Sequence, residues 1–260
     1  MKRSPRKLGD NILTATYISM NYFAHAYRFL DNPDFTVGTG IPDWLSVVDR
    51  KVRVRTRSIN AFLERASEST DSEDERAKAL AVARGALRHI RDDAAFHQTR
   101  VFTEVSTELS RQSQAFLESD PSFRPSFLGH ILTELFLDQH LIREYPDRLE
   151  RYYEILETAD LESAQRTVNR IAPRPTDRLA MLIRGFARSR ILDDYAHDER
   201  LLFRLNQVMN RIGLAQLPNN LLDFFSPARD LVFSRADELL VEVEEPIDIT
   251  SVLTSDPSAH

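Results

Sequence analysis

Two nine-residue stretches, His89-Ile90-Arg91-Asp92-Asp93-Ala94-Ala95-Phe96-His97 and His130-Ile131-Leu132-Thr133-Glu134-Leu135-Phe136-Leu137-Asp138, decide how this chain is read. In each, side chains able to ligate a metal recur at i, i+4 and i+8. On an α-helix that spacing keeps all three on one face, each turned about 40° from the last. Residues four apart sit roughly 6 Å from one another, close enough to grip one ion; the ends of the series lie about 12 Å apart along the axis. His97 is therefore expected to serve a second ion or the substrate rather than the ion of His89. The second stretch is set among Leu128, Ile131, Leu132, Leu135, Phe136, Leu137 and Leu141, so its helix is apolar almost all round and central. Carboxylates on such a helix are costly unless paired or metal-bound. Either series alone would be an ordinary solvated or hydrogen-bonded helix face. Both together favour a polynuclear metal site.

The rest of the chain agrees with a helical frame. Only 7 glycines occur in 260 residues, and Leu, Ala, Glu and Arg are abundant, so an all-α fold is expected. The chain is long enough for one large core. A net charge of −6 argues against a general nucleic-acid binder. The absence of cysteine leaves His, Asp and Glu as the ligand set, which suits zinc, manganese or iron. It also fits a cytoplasmic protein. No run of 18 apolar residues and no export signal is read, so no membrane span is expected.

Reading along the chain, residues 1–19 form a loose N-terminal extension and 20–242 a helical domain, of which 20–145 hold the motifs and 146–242 add further helices. Residues 243–260 read as a frayed tail. A helix over 21–31 stops at Asp31-Asn32-Pro33. Thr36 to Trp44, with Gly38, Gly40 and Pro42, reads as a tight loop delivering Asp43. Arg50 to Arg57 alternates basic and apolar residues, as a short strand or an irregular basic loop. Helices are expected from Ser58, over Glu75 to about Gln98, Thr99 to Leu117 and Phe127 to Glu144, then near 148–158, 161–171, 177–192, 197–211 and 227–242. Gly213 is a plausible helix C-terminal cap.

Outside the two series, His25 lies on an apolar helix and Asp43 on the expected loop; each alone reads more simply as a core histidine and a turn aspartate. Both gain weight only if the fold brings them to the paired helices. Asp92 points to another side of its helix. His140 is two residues beyond Asp138 and off its face, His197-Asp198 reads as a solvated helix start, and His260 is terminal. The basic run offers Arg53 and Arg55 as groups that could orient a phosphate. There is no Gly-rich nucleotide loop, no Gly-x-Ser-x-Gly elbow and no cysteine nucleophile, so metal-activated water is the simplest nucleophile.

Two resemblances follow from these residues. Met20-Asn21-Tyr22-Phe23-Ala24-His25, the segment Gly40 to Asp43, His89-x-x-x-Asp93 and Glu134-x-x-x-Asp138 resemble the acyl-carrier-protein phosphodiesterases, helical relatives of the HD-domain hydrolases. That resemblance covers about residues 20–145 and implies a divalent metal, often manganese, and phosphodiester cleavage. The chain departs from that pattern at His97, where an acidic residue is expected, and at Asp138-Gln139, where Asp-His is expected. The order His25, Asp43, His89/Asp93, His97, His130/Glu134 is similar to the zinc-dependent phospholipase C family, though spacings differ. Both resemblances imply phosphoester chemistry at a metal cluster within an HD-like or phospholipase C-like bundle.

The expectation is an all-α, metal-dependent phosphodiesterase holding two divalent ions (Zn, Mn or Fe). His25, Asp43, His89, Asp93, His130 and Glu134 are the candidate ligands, with His97 and Asp138 completing a second site; Asp43 and Asp93 are the candidate catalytic carboxylates. The substrate would be phosphorylated: an acyl carrier protein, a phospholipid or a nucleotide. A non-enzymatic helical scaffold retaining a degenerate site is the alternative. A carboxylate-bridged di-iron protein is disfavoured because its Glu-x-x-His pairs use i, i+3 spacing.

Overall fold

The computed structural model describes residues 21–49, 51–68, 70–117 and 124–241. The expected extension over 1–19 and tail over 243–260 lie outside the described residues, as do Met20 and Arg50. The fold is all-α. Its helices are α1 (Tyr22–Ala26), α2 (Pro33–Val48), α3 (Thr56–Glu64), α4 (Glu73–Phe96), α5 (Arg100–Ser113) and α6 (Pro125–Glu144). There follow α7 (Pro146–Thr158), α8 (Leu161–Ile171), α9 (Leu179–Ser189), α10 (Asp198–Ile212), α11 (Leu222–Ser234) and α12 (Ala236–Val241). Short 3-10 turns lie at Arg65–Glu68, Ile191–Ala196 and Asn219–Leu221, and the described residues contain no strand.

Local chemistry sets most helix ends. Ser72 and Glu75 form a reciprocal capping box at the start of α4, satisfying two otherwise orphaned backbone donors. Pro125 occupies the first turn of α6, where a missing N–H costs nothing. Gly213 closes α10 at φ 74, in the left-handed region that favours glycine.

The main departure from expectation is α2. Residues 36–44 are not a loop but the middle of a helix that begins at Pro33, with the Asn32 side chain accepting from the Phe35 N–H at 3.1 Å. Packing overrides the poor helix propensity of Gly38, Gly40 and Pro42. A Cβ on Gly38 would lie 2.4 Å from the Val82 carbonyl oxygen of α4, and one on Gly85 would lie 2.2 Å from the Phe35 carbonyl oxygen. The two glycines therefore let α2 and α4 meet backbone to backbone. Gly40 makes room for the Trp44 ring, which a Cβ would approach to 2.5 Å. Gly129 plays the same part between α6 and α5, against the Ser106 carbonyl.

Smaller differences have local causes. Residues 51–55 form a turn and an extended, unpaired segment, with Val52 and Val54 buried, so of the two readings the irregular loop holds. The first helix ends at Ala26 rather than Asp31. Pro227 sits inside α11, which opens at Leu222, instead of starting a helix. One contiguous hydrophobic cluster runs from Tyr22 to Leu239, centred on large side chains such as Trp44, Phe136, Tyr152 and Phe225. It places α1, α2, α4 and α6 side by side, which is what assembles the site.

Candidate metal centre

α1 presents His25, α2 presents Asp43, α4 presents His89 and Asp93 and ends at His97, and α6 presents His130 and Glu134. They converge into two groups. In the first, His25, His89 and Asp93 each offer a ligand atom within 4.8 Å of the others. The His25 and His89 rings lie 4.1 Å apart, and both residues are buried. In the second, His97, His130 and Glu134 meet the same criterion. The Glu134 Oε1 lies 2.8 Å from His97 Nε2 and 3.0 Å from His130 Nε2. The Phe102 ring packs on both imidazoles, at 4.8 and 5.0 Å.

Asp93 joins the groups: its Oδ2 is 3.5 Å from His97 Nδ1. The expected separation of His97 from His89 along α4 is realised, since His97 works with α6 and not with His89. It does so as the C-cap residue of α4, just past the last helical position.

Asp43 lies against the first group. Its Oδ1 faces His89 Nε2 at 3.6 Å. The opposite ring nitrogen, His89 Nδ1, is buried without a hydrogen-bond partner, as are His25 Nε2 and Asp93 Oδ1. Buried polar atoms are almost always satisfied, so three orphans in three neighbouring residues mark a place where a cation fits. A carboxylate behind one imidazole nitrogen, leaving the other for an ion, is the usual outer support of a histidine ligand.

Asp138 departs from the expected ladder. It is fully buried and belongs to neither group. Its carboxylate accepts from the Phe23 N–H at 3.0 Å and the Ala24 N–H at 2.7 Å. It thus holds the first turn of α1, satisfying donors that a short helix cannot satisfy itself. One turn beyond Glu134, α6 thus meets α1 at Asp138, and that carboxylate is committed to backbone donors.

The two groups differ electrostatically. Burial pushes the His25 imidazole well below its ordinary value, and His89, His97 and Arg88 push the same way. Burial also lowers His89, against the Asp93 carboxylate. These two rings are neutral, with lone pairs to give. In the second group burial alone would lower His97, but hydrogen bonds to Asp93 and Glu134 hold it up at about 10. Burial would likewise raise Glu134, yet His130 and His97 hold its carboxyl down at about 2. The His97 imidazolium is here the cation that compensates the carboxylates. For Asp138 burial raises the pKa, and the two backbone donors only partly offset it.

Arg53 is half-buried and Arg55 exposed on the segment before α3, and neither lines the small cleft beside His25. That cleft is lined instead by Arg28, Arg88 and Asp92, residues not singled out from the sequence as phosphate contacts. Arg88 pairs with Asp92 at 2.6 Å, which explains the side of α4 that Asp92 occupies. An arginine four residues before an aspartate is a common helix pair, so nothing in the spacing marked it. His140 packs on Phe233, and Asp198 pairs with Arg229, both away from the site.

Fold and site together define an all-α protein with two adjoining, largely buried histidine–carboxylate groups that could hold metal ions. No family model matches the chain, and no match was found among curated proteins or solved structures. No helix among the described residues is long and apolar enough to cross a membrane.

Proposed function

We propose that this protein is a metal-dependent hydrolase that cleaves a phosphodiester or phosphomonoester, using two divalent ions. The observation that carries the reading is convergence: three helices far apart in sequence bring His25, His89 and Asp93 into one group and His97, His130 and Glu134 into a second, with Asp93 reaching both. The donor set, imidazole and carboxylate without thiolate, suits zinc, manganese or iron. Ions held there would lower the pKa of a water and offset charge on phosphoryl oxygens.

The chain's own residues divide the work. His25 and His89 are neutral by burial and hold one site ready. Asp43 orients the His89 ring from behind. Asp93, whose side chain is 22% exposed, is the carboxylate that reaches solvent and both groups, which makes it the proton acceptor for an attacking water. Arg28 and Arg88, lining the cleft that reaches His25, take the phosphate-orienting part expected of Arg53 and Arg55. Neighbouring walls from Phe29, Phe96 and Leu137 limit water around them.

Metal analysis of the purified protein, paired with turnover of bis-p-nitrophenyl phosphate, tests this. Two ions per chain, with activity lost on chelation and restored by zinc, manganese or iron, is the expected result. A protein that holds no stoichiometric metal and gains no activity from any of the three would sink the enzyme reading and leave a helical scaffold with a degenerate site.

A further inference from the structure

A cavity apart from the metal centre is lined by residues of α1, α2, α9 and α10. It measures about 390 Å³, within the range of small-molecule sites. Its wall includes Tyr22, Trp44, Leu182, Phe186, Ile191 and Val208. None of the residues in the two metal-ligand groups lines it. Tyr22 and Trp44 stack at 6.1 Å and both pack on Phe186, forming a rigid aromatic floor three residues from His25 and one from Asp43.

Three features say what it would hold. Every charged residue lining it is an arginine, namely Arg178, Arg204 and Arg211, and no acidic residue lines it. Arg204 is already paired with Asp194 at 2.7 Å, whereas Arg178 makes no ion pair among the described residues. The Trp44 indole N–H is buried without a hydrogen-bond partner. Finally, Gly185 of α9 lines the cavity at an exposed position, and a Cβ built on it meets nothing within 4 Å, so a side chain can be introduced there without a clash. Residues 1–20, which precede Tyr22, carry Lys2, Arg3, Arg6 and Lys7, so their charge does not complement this rim.

We propose that this cavity is a second ligand site, taking a single-tailed anionic amphiphile of small-molecule size, with one carboxylate or phosphate head at Arg178. The apolar walls bury the tail, and the Arg178 guanidinium pairs with the head. The site is independent of the metal chemistry and is expected to work equally in chelator-treated protein.

Trp44 is the only tryptophan in the chain, so its fluorescence reports on the cavity directly. Full-length protein is titrated with decanoate, decyl phosphate and decyltrimethylammonium below their micelle concentrations, with and without chelator. A saturable change in Trp44 emission with the two anions is expected, and the tighter of them identifies the head group. The cation should bind about ten-fold more weakly, the worth of one charge-assisted hydrogen bond. Gly185→Phe, which adds a ring to the cavity lining, should weaken the response about ten-fold or more while the helical circular dichroism signal and metal content stay unchanged. Arg178→Glu, at an exposed position, should weaken anion binding by a similar factor of about ten and not affect folding. No saturable response to either anion, equal response to the cation, or full response in folded Gly185→Phe would each overturn the proposal.

Discussion

The two ligand groups are built from the same residue types and share α4, the first with α1 and the second with α6, yet they solve the burial of charge differently. Around His25, His89 and Asp93, burial strips the imidazoles of their protons and leaves three polar atoms without partners. Around His97, His130 and Glu134, a proton on His97 closes the network, with short contacts to one carboxylate oxygen. The first group is open to a cation and gains from one at once. An ion entering the second would have to displace that proton, so binding there is expected to weaken with acidity. On the proposed reading the two sites are expected to differ in affinity and pH dependence although they share Asp93.

The largest effect is expected where the difference is removed outright. His89→Ala takes a ligand from the first group and leaves His25 Nε2 and Asp93 Oδ1 still buried and unsatisfied. Metal content should fall from two ions to one or fewer, and phosphodiester turnover by more than about 100-fold, beyond what loss of an outer partner costs. Metal analysis of the variant that still shows two tightly held ions would contradict the assignment of the first site.

Glu134→Gln probes the second group. It removes the carboxylate shared by His97 and His130, and the His97 pKa should drop part of the way towards its ordinary value, because the hydrogen bond and charge of Glu134 are gone while those of Asp93 remain. One ion should be retained and the weaker one lost, with activity reduced about 100-fold. Titration of the His97 ring by NMR in metal-free protein reads the shift directly; a His97 pKa unchanged in the variant would show that Asp93 alone holds the proton.

Asp43→Asn should be milder. If Asp43, which faces His89 at 3.6 Å, acts through that ring, about ten-fold weaker binding at the first site is expected, with the second untouched. A loss as large as that of His89→Ala would make Asp43 a direct ligand, as the sequence suggested.

The pH dependence of metal-free protein sharpens the same contrast. The folded His97 pKa, about 10, is raised above the ordinary 6.5, so its stabilisation is fully present below pH 6.5 and is lost as pH rises through 10. Glu134 is depressed to about 2 from 4.5, so its share is present above pH 4.5 and lost as pH falls towards 2. Thermal melting of chelated protein should decline between pH 7 and 10, and added zinc should flatten that decline by replacing the proton. A melting temperature that stays level across this range without metal would remove the imidazolium from the second group.

What could be read from the sequence was the chemistry of helix faces. His89-x-x-x-Asp93 and His130-x-x-x-Glu134 were legible because four-residue spacing on a helix forces neighbours, whatever the tertiary fold. His25 and Asp43 were legible only as candidates, since their convergence depends on α1 and α2 docking against α4. That docking was hidden for a physical reason. Gly38, Gly40 and Pro42 argue for a loop by propensity, and only the close approach of Gly38 to Gly85 shows why a helix prevails. Arg28 and Arg88 were invisible because an arginine on a helical pattern acquires meaning only from the cleft it lines.

Asp138 is where local reading misled most, and it carries the smallest of the expected effects. By spacing it continues the ligand series, yet it accepts two backbone N–H groups at the start of α1, the helix that carries His25. Asp138→Asn keeps one acceptor oxygen and removes the charge that burial disfavours, so the loss in stability should be about 1 kcal/mol, the net worth of one hydrogen bond. Both ions should remain bound, with the first site weakened only through a slightly displaced His25. Asp138→Ala leaves both donors unsatisfied in a buried place and should cost about 1–3 kcal/mol more than the amide. Denaturant unfolding of the two variants beside their metal content separates the roles: a ligand would cost an ion in both, whereas a helix support costs stability in proportion to the acceptors removed.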